Sequence, residues 1–516
     1  MTATAVPLTP PLDSADEWQG VEHVRVAIIG AGFSGLGMAI ALKRARLHDF
    51  VLLERGDESG GTWRDNTYPG CACDVESDLY SFSFAPNPDW SRHFSPQPEI
   101  WAYLRRCVGR FGLWPHIRRD HALQDATWDD AAHRWRIATD GGPLTADVLI
   151  LATGPLSEPV TPAIPGLDRF AGTIFHSARW DHRHDLTGER VAVVGTGASA
   201  IQFVPQIQPQ VGQLTLFQRT PPWIVPRLDR PVSARRRALY RALPLAQRLR
   251  RWQLYWRREL SAIAFVRQPE RFADAEGIAA RHLTRQVPDP ALRARLTPNY
   301  RMGCKRILLS DDFYPALTRE NVAVVTAQIR EVRAHSIVAE DGTERPVDTI
   351  ILATGFRATD PPFAAQVRGR DGRSLADAWR DGQRAYLGTT VAGFPNLFIC
   401  LGPNTGLGHS SMIVMIESQV AYIRDALRTL ARQNLAAVEV RADVQEAHNA
   451  DVQRHMARTI WSTGCKSWYL DAHGRNTTLW PGFTWQYRLK TRRFDAQSYR
   501  LTPHGATGGS NLPTGG

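Results

Sequence analysis

The chain has 516 residues, a length that suits two to four domains at about 150 residues each and lets several cores form without covalent staples. Hydrophobic residues make up 43% and charged residues 22%, usage that excludes a wholly disordered chain, and no uninterrupted apolar run reaches the ~18 residues of a spanning helix. The net charge is +11, yet only Lys43, Lys305, Lys466 and Lys490 are lysine; this arginine bias reads as a compositional habit, and no nucleic-acid partner is expected, although a basic surface still attracts phosphorylated cofactors or lipid headgroups.

The six cysteines are scattered. Their spacing is neither a disulfide framework nor a zinc ribbon, and a reducing, cytoplasmic compartment fits. The histidines show no ligand spacing, and no metal site is expected. Residues 1–22 read as a floppy, disordered lead without an apolar signal core, and residues 503–516, rich in Gly, Pro, Ser and Thr, as a disordered tail.

Between them the chain opens on a buried strand, Val24 to Ile29, which runs into Gly30-Ala31-Gly32-Phe33-Ser34-Gly35 and a helical pattern through Leu42. A second strand, Phe50 to Leu53, ends at Glu54, twenty-four residues after Gly30. This is the dinucleotide-binding fingerprint in its proper setting: Gly30 for the tight turn, Gly32 for backbone approach to a pyrophosphate, Gly35 for helix–strand packing, and Glu54 as acceptor for ribose hydroxyls. The unit recurs. Strand Arg190 to Val194 precedes Gly195-Thr196-Gly197-Ala198-Ser199-Ala200, then a helix, then strand Leu214 to Phe217, and Arg219 and Thr220 stand where the first unit carries its acid. A carboxylate suits a free 2′-hydroxyl; a guanidinium suits a 2′-phosphate. The first unit therefore reads as FAD- or NAD-binding and the second as NADP-binding. Two further strands, Val148 to Leu151 and Thr349 to Leu352, each close on Ala-Thr-Gly, at 152–154 and 353–355, small tight turns where the chain can cross between nucleotide domains.

The segment Phe170-Ala171-Gly172-Thr173-Ile174-Phe175-His176-Ser177-Ala178-Arg179-Trp180-Asp181 matches FxGxxxHxxxW followed by Pro or Asp, and Gly60-Gly61-Thr62-Trp63, Tyr68-Pro69-Gly70 and Asp74 supply a second fingerprint. With both nucleotide units, the chain resembles the type I Baeyer–Villiger monooxygenases over roughly 24–487, near the aryl-ketone branch. The resemblance implies an α/β fold of two Rossmann-like domains: a disordered lead 1–22; an FAD domain, 23–160 and 357–502; an NADP domain, 161–230 and 301–356; and a helical insertion, 231–300. It implies FAD and NADPH as cofactors, O2 as co-substrate, and a ketone, aryl or hydrophobic, converted to ester or lactone through a C4a-peroxyflavin. Arg306 matches the catalytic arginine and Asp74 the carboxylate beside it. Lys305 would join Arg219 at the 2′-phosphate. Thr62, Trp63, Tyr80, Ser199, Met412 and the loop residue Trp468 fall at cofactor-contacting positions, while Phe170, Gly172, His176, Trp180 and Asp181 belong to the fingerprint, His176 as a structural linker residue.

Two alternatives stay open at this stage: a sulfide or amine oxygenase, which Trp180-Asp181 ranks second, and a non-oxygenating flavoprotein redox sensor, which Lys305-Arg306 and Asp74 oppose. A flavin disulfide reductase is disfavoured because Cys71-Ala72-Cys73 is too closely set for a redox pair. In the insertion, arginine clusters (Arg235–Arg237, Arg248, Arg250, Arg251, Arg257, Arg258) alternate with Trp252, Leu254, Tyr255, Trp256 and Ile263. The preferred reading is a helical cap with a solvated arginine face; a substrate entrance or a membrane-surface contact is the alternative. The oligomeric state is unreadable from sequence.

Overall fold

A computed structural model describes Trp18 and residues 20–465 and 467–505. The expected lead before Trp18, and the tail beyond residue 505, lie outside the described residues.

Two sheets carry the two glycine turns. In the first, His23–Ile29 lies parallel between Phe50–Leu53 and Gly142–Leu151. Leu397–Ile399, from the far end of the sequence, pairs in parallel with Gly142–Leu151, so both ends of the chain build this sheet. An antiparallel ribbon, Leu123–Asp129 and Arg134–Thr139, feeds into Gly142–Leu151 and explains why that strand begins well before Val148. The second sheet is wholly parallel, in the order Val322–Val325, Gln213–Phe217, Arg190–Val194, Thr349–Leu352, Thr173–His176. Its strands are short Val, Ile and Leu runs, and such strands need cover on both faces.

The paired Ala-Thr-Gly strands have a steric role. Gly30 has φ +102°, and a Cβ there would stand 2.8 Å from the carbonyl oxygen of Ala152. Gly195 has φ +107°, and its Cβ would stand 2.6 Å from the carbonyl oxygen of Ala353. Each glycine turn is thus backed by the end of an Ala-Thr-Gly strand, and a side chain at either glycine would clash as well as strain the backbone. Beyond these turns the chain crosses between the sheets twice, side by side: the Val160 amide donates to Gly355 O at 2.9 Å and the Arg357 amide to Glu158 O at 2.9 Å.

The insertion forms helices Ala234–Ala242, Pro244–Val266, Phe272–Gln286 and Pro290–Leu296. Arg235 and Arg248 are exposed, but four other arginines do not belong to the expected solvated face. Arg236 pairs with Asp78 at 2.7 Å, Arg251 donates to Leu79 O at 2.9 Å, and Arg257 and Arg258 both grip Glu76. The reason is that residues 76–81 offer carboxylates and free carbonyls where this helix docks. The expected termini also need correction. Glu22 pairs with Arg118 and its carbonyl accepts from the Thr145 amide at 2.8 Å, while Pro503 closes a strand paired with Leu435.

Candidate functional site

The site begins where Tyr68-Pro69-Gly70 rests on the helix Ala200–Ile207 of the second nucleotide unit. Gly70 has φ +77°, and a Cβ there would lie 2.7 Å from Gln202 O. Gln202 then clamps the following loop. Its Oε1 accepts from Tyr68 OH at 3.0 Å and from the Ala72 amide at 3.3 Å, and its Nε2 donates to Ala72 O at 3.0 Å. Phe203, one residue on, packs between Tyr68 and Trp180, with ring centroids 6.1 and 5.2 Å away. The two sequence fingerprints therefore meet on one helix, at the seam between the nucleotide units. Gln202 carried no motif and was invisible to the sequence reading.

Past this clamp comes Asp74. Arg306 donates to its Oδ2 from Nε at 3.0 Å and from Nη2 at 2.5 Å. Burial pushes the Asp74 carboxyl up, but the Arg306 guanidinium outweighs this and holds it below the ordinary carboxylate value. The Asp74 charge in turn raises Arg306 above an already high value, against burial. The arrangement is a fixed, permanently charged cation with its counter-ion attached. Tyr469 is buried and faces the same pair; burial pushes its phenol up to about 12. Its neighbour Trp468 is exposed, its ring tilted by 54° against Tyr469 with centroids 4.6 Å apart.

Cys304 is bonded to Cys465, with Cα atoms 6.3 Å apart, a correction to the expectation that the scattered spacing carries no disulfide framework. Scattered spacing says nothing about which distant segments the fold brings together. The bond staples the irregular segment carrying Lys305 and Arg306, just before the strand Leu308–Leu309, to the loop carrying Trp468 and Tyr469. Cys71, Cys73, Cys107 and Cys400 are free and buried. Burial pushes the Cys71 thiol up to about 12 and Cys73 higher still, so neither is poised for thiolate chemistry.

Lys305 sits close to Arg219: burial first, and then the Arg219 charge, lowers its ammonium pKa. Its Nζ lies 4.8 Å from the Tyr300 ring centroid. Two cations held together at the end of the second unit suit a phosphate dianion. Nearby, Thr196 Oγ1 donates to Thr220 O at 3.3 Å, Ser199 leads the helix Ala200–Ile207, and a Cβ on Gly197 would meet nothing within 4 Å, so the turn is open on its outer side.

In the first unit, Glu54 accepts from the Ala31 and Gly56 amides, both at 2.9 Å, and from Arg64 at 2.7 Å. Arg64 was not anticipated; it orients Glu54 at the end of its strand. Gly32 and Gly61 face each other with no side chain between them, since a Cβ on Gly61 would stand 3.0 Å from Gly32 Cα. Thr62 begins a short helix, and Trp63 Nε1 donates to Tyr80 OH at 3.1 Å. This bare backbone cradle fits a pyrophosphate, as the motif requires. Met412 starts the helix Met412–Arg432, whose first turn is capped by Ser411. The loop before it packs on an aromatic wall: a Cβ on Gly408 would lie 3.0 Å from Trp461 and 3.1 Å from Phe265. His409 is buried there, 3.5 Å from Glu259 of the insertion.

The remaining fingerprint residues occupy packing and turn positions. Phe170 is buried, and a Cβ on Gly172 would collide with Asp348 O. His176 accepts from the Ala178 amide through Nδ1 at 3.0 Å beside Phe356. Asp181 caps the turn at Arg183 at 3.0 Å, on the surface.

Two nucleotide-type sheets with an arginine–carboxylate pair at their seam define a two-dinucleotide-binding oxidoreductase. Residues 27–238 match the family described as pyridine nucleotide-disulphide oxidoreductase. A Baeyer–Villiger monooxygenase of Streptomyces coelicolor is 56% identical over 489 residues, 94% of each chain. Among solved structures, a steroid monooxygenase bound to NADP aligns with a TM-score of 0.82 at 30% identity, covering 93% of this chain and all of that one. OTEMO in complex with FAD and NADP gives 0.83 at 26% identity, covering 93% and 99%. The chain belongs to the Baeyer–Villiger monooxygenase family, and so stands among oxygenating enzymes rather than disulfide reductases or redox sensors.

Proposed function

We propose that Arg306, held by Asp74, is the catalytic cation of this FAD- and NADPH-dependent Baeyer–Villiger monooxygenase, and that its ketone is hydrophobic and aryl-bearing. The overall reaction takes a ketone, O2, NADPH and a proton to an ester or lactone, NADP+ and water. FAD, when bound, supplies the transfer of reducing equivalents to dioxygen, which no side chain here can perform.

The protein supplies position and charge. Gly30, Gly32 and Gly35 with Glu54, Thr62, Trp63 and Tyr80 form the FAD cradle. Gly195, Gly197, Ser199, Arg219, Thr220 and Lys305 form the NADPH cradle, and the Arg219–Lys305 pair selects NADPH over NADH. As the ketone is attacked, negative charge develops on its oxygen. With Nε and Nη2 bonded to Asp74, the Arg306 guanidinium stays charged and stabilises that charge at no reorganisation cost, because Asp74 already fixes its plane. Tyr469 and the Trp461–Phe265 wall shed water from this point, which favours charge stabilisation over loss to hydrogen peroxide.

The observation that carries the reading is the Arg306–Asp74 pair at the seam of the two nucleotide units. The apolar wall around Gly408 and His409 supports the aryl preference. A panel of aryl, cyclic and short aliphatic ketones, followed by NADPH consumption and ester formation, tests it. Highest kcat/KM on aryl ketones is expected; a preference for short aliphatic ketones would overturn the substrate assignment.

A further inference from the structure

The helix Pro244–Val266 turns the wrong way round for a soluble protein's surface. Its arginines Arg251 and Arg258 point inward and, with the tip of the more exposed Arg257, bond to residues 76–81. Its outward face carries Leu245, Leu249, Trp252, Trp256 and Leu260, which are 66%, 54%, 58%, 40% and 65% exposed. These positions follow a 4-3-4-4 spacing, one unbroken stripe along the helix. Leu239 and Leu243 extend the stripe toward the preceding helix, and Trp485 and Leu489 flank it from the helix Thr484–Lys490. Between the two helices lies a groove of about 990 Å³ with a predominantly apolar floor. A contiguous apolar strip of this kind marks an interaction surface.

The charges around it say what the partner is. Arg248, Arg424, Arg488 and Arg492 rim the groove and form no ion pair among the described residues, Arg424 having only the neighbouring charge of Asp425. Burial and the neighbouring Arg428 lower the pKa of Arg424, a sign of crowded cations. The one carboxylate on the rim, Glu417, is taken by the Ser83 amide at 2.6 Å. A second copy of the chain docked here about a two-fold axis would set arginine rims against each other, which is costly. Tryptophan and leucine on a ridge edged by unpaired arginines are instead the composition of an element lying in a membrane interface, with its apolar side among acyl chains and its guanidinium groups at anionic headgroups. Among the described residues no helix is long and apolar enough to cross a membrane.

We propose that the stripe Leu245–Leu260 and its arginine rim form a docking surface for an anionic lipid bilayer, on which the enzyme lies peripherally. The same helix continues inward through Glu259 and Phe265 to the loop at Gly408 and His409. Docking therefore sets the apolar groove, and the element that walls the site, at the surface where hydrophobic molecules partition.

The test is flotation of the full-length holoenzyme with phosphatidylcholine vesicles, alone or carrying about 30% phosphatidylglycerol, at low and high salt. Flotation with the anionic vesicles, weakened by salt, is expected. Leu249→Gln/Trp252→Gln should abolish it, and Arg488→Gln/Arg492→Gln should weaken it by about fivefold for each arginine lost. Turnover of a water-soluble ketone should be unchanged in both variants, which separates docking from folding. Failure to float with either vesicle, or equal flotation of the variants, would overturn the proposal. So would a concentration-dependent dimer that Leu249→Gln/Trp252→Gln dissociates in the absence of lipid, since a second copy would then cover the stripe.

Discussion

Both hydrogen bonds from Arg306 to Asp74 end on the same carboxylate oxygen, Oδ2, from positions 232 residues apart in sequence. The guanidinium is therefore set in direction by a group belonging to the first nucleotide unit, while its own backbone belongs to the return from the insertion. The Gln202 clamp on the loop just before Asp74 ties that carboxylate to the second unit, so the direction of the guanidinium depends on how the two units meet.

Asp74→Ala should retain flavin and NADPH oxidation but lose coupling. The guanidinium would keep its charge and lose its orientation, and mis-set charge stabilisation of this type costs about 10²-fold or more in kcat. Ester yield against hydrogen peroxide per NADPH consumed measures it: the peroxide share should rise sharply in Asp74→Ala.

Lys305→Met should separate the two nicotinamide cofactors. Charge-assisted bonds to a phosphate contribute about 1.5–3 kcal/mol, so KM for NADPH should rise by roughly one to two orders of magnitude. KM for NADH, which lacks the 2′-phosphate, should barely change. Equal effects on both cofactors would place Lys305 elsewhere.

Removing the Cys304–Cys465 bond by Cys465→Ser should lower stability by about 3–5 kcal/mol on the chain-entropy account, because the bond closes a long loop. It should also free the Trp468–Tyr469 segment, read as faster proteolysis between residues 460 and 475. Thermal melts of the wild type with and without reductant should reproduce the first effect without mutation.

The pH dependence of stability has a defined sign. Burial, with Arg179 nearby, lowers His176 to about 4; burial, with Lys490 nearby, lowers His448 to about 4. Unfolded, both titrate near about 6.5. Between those values the unfolded chain binds protons that the folded chain does not. Stability is therefore full above about pH 6.5 and falls on acidification toward about pH 4, by at most about 1.4 kcal/mol per pH unit for each histidine. Asp74 acts lower, its contribution vanishing only as pH falls through its depressed value. Urea melts of His176→Gln across this range should show a shallower acid limb.

What the sequence made legible was whatever is local. Each glycine turn with its flanking strands lies within one short stretch, and so does the contrast of Glu54 with Arg219. What it hid is pairing between remote segments. Nothing in the spacing of Cys304 and Cys465 announces a bond, Gln202 carries no motif, and that Tyr469 is buried while its neighbour Trp468 is exposed is set by how the loop packs. The insertion's arginines read as solvated because helical periodicity identifies two faces without saying which one meets the protein. The carboxylates of Glu76 and Asp78 decide that in three dimensions.

The role of Arg306 is tested most directly by turnover of an aryl ketone under isotopically heavy dioxygen by the wild type and by Arg306→Ala, with the flavin spectrum recorded in parallel. The wild type should form ester carrying one heavy oxygen atom, while Arg306→Ala should still bleach its flavin with NADPH but form no ester. Undiminished labelled ester from Arg306→Ala would contradict the assignment of the Arg306–Asp74 pair as the oxygenating centre.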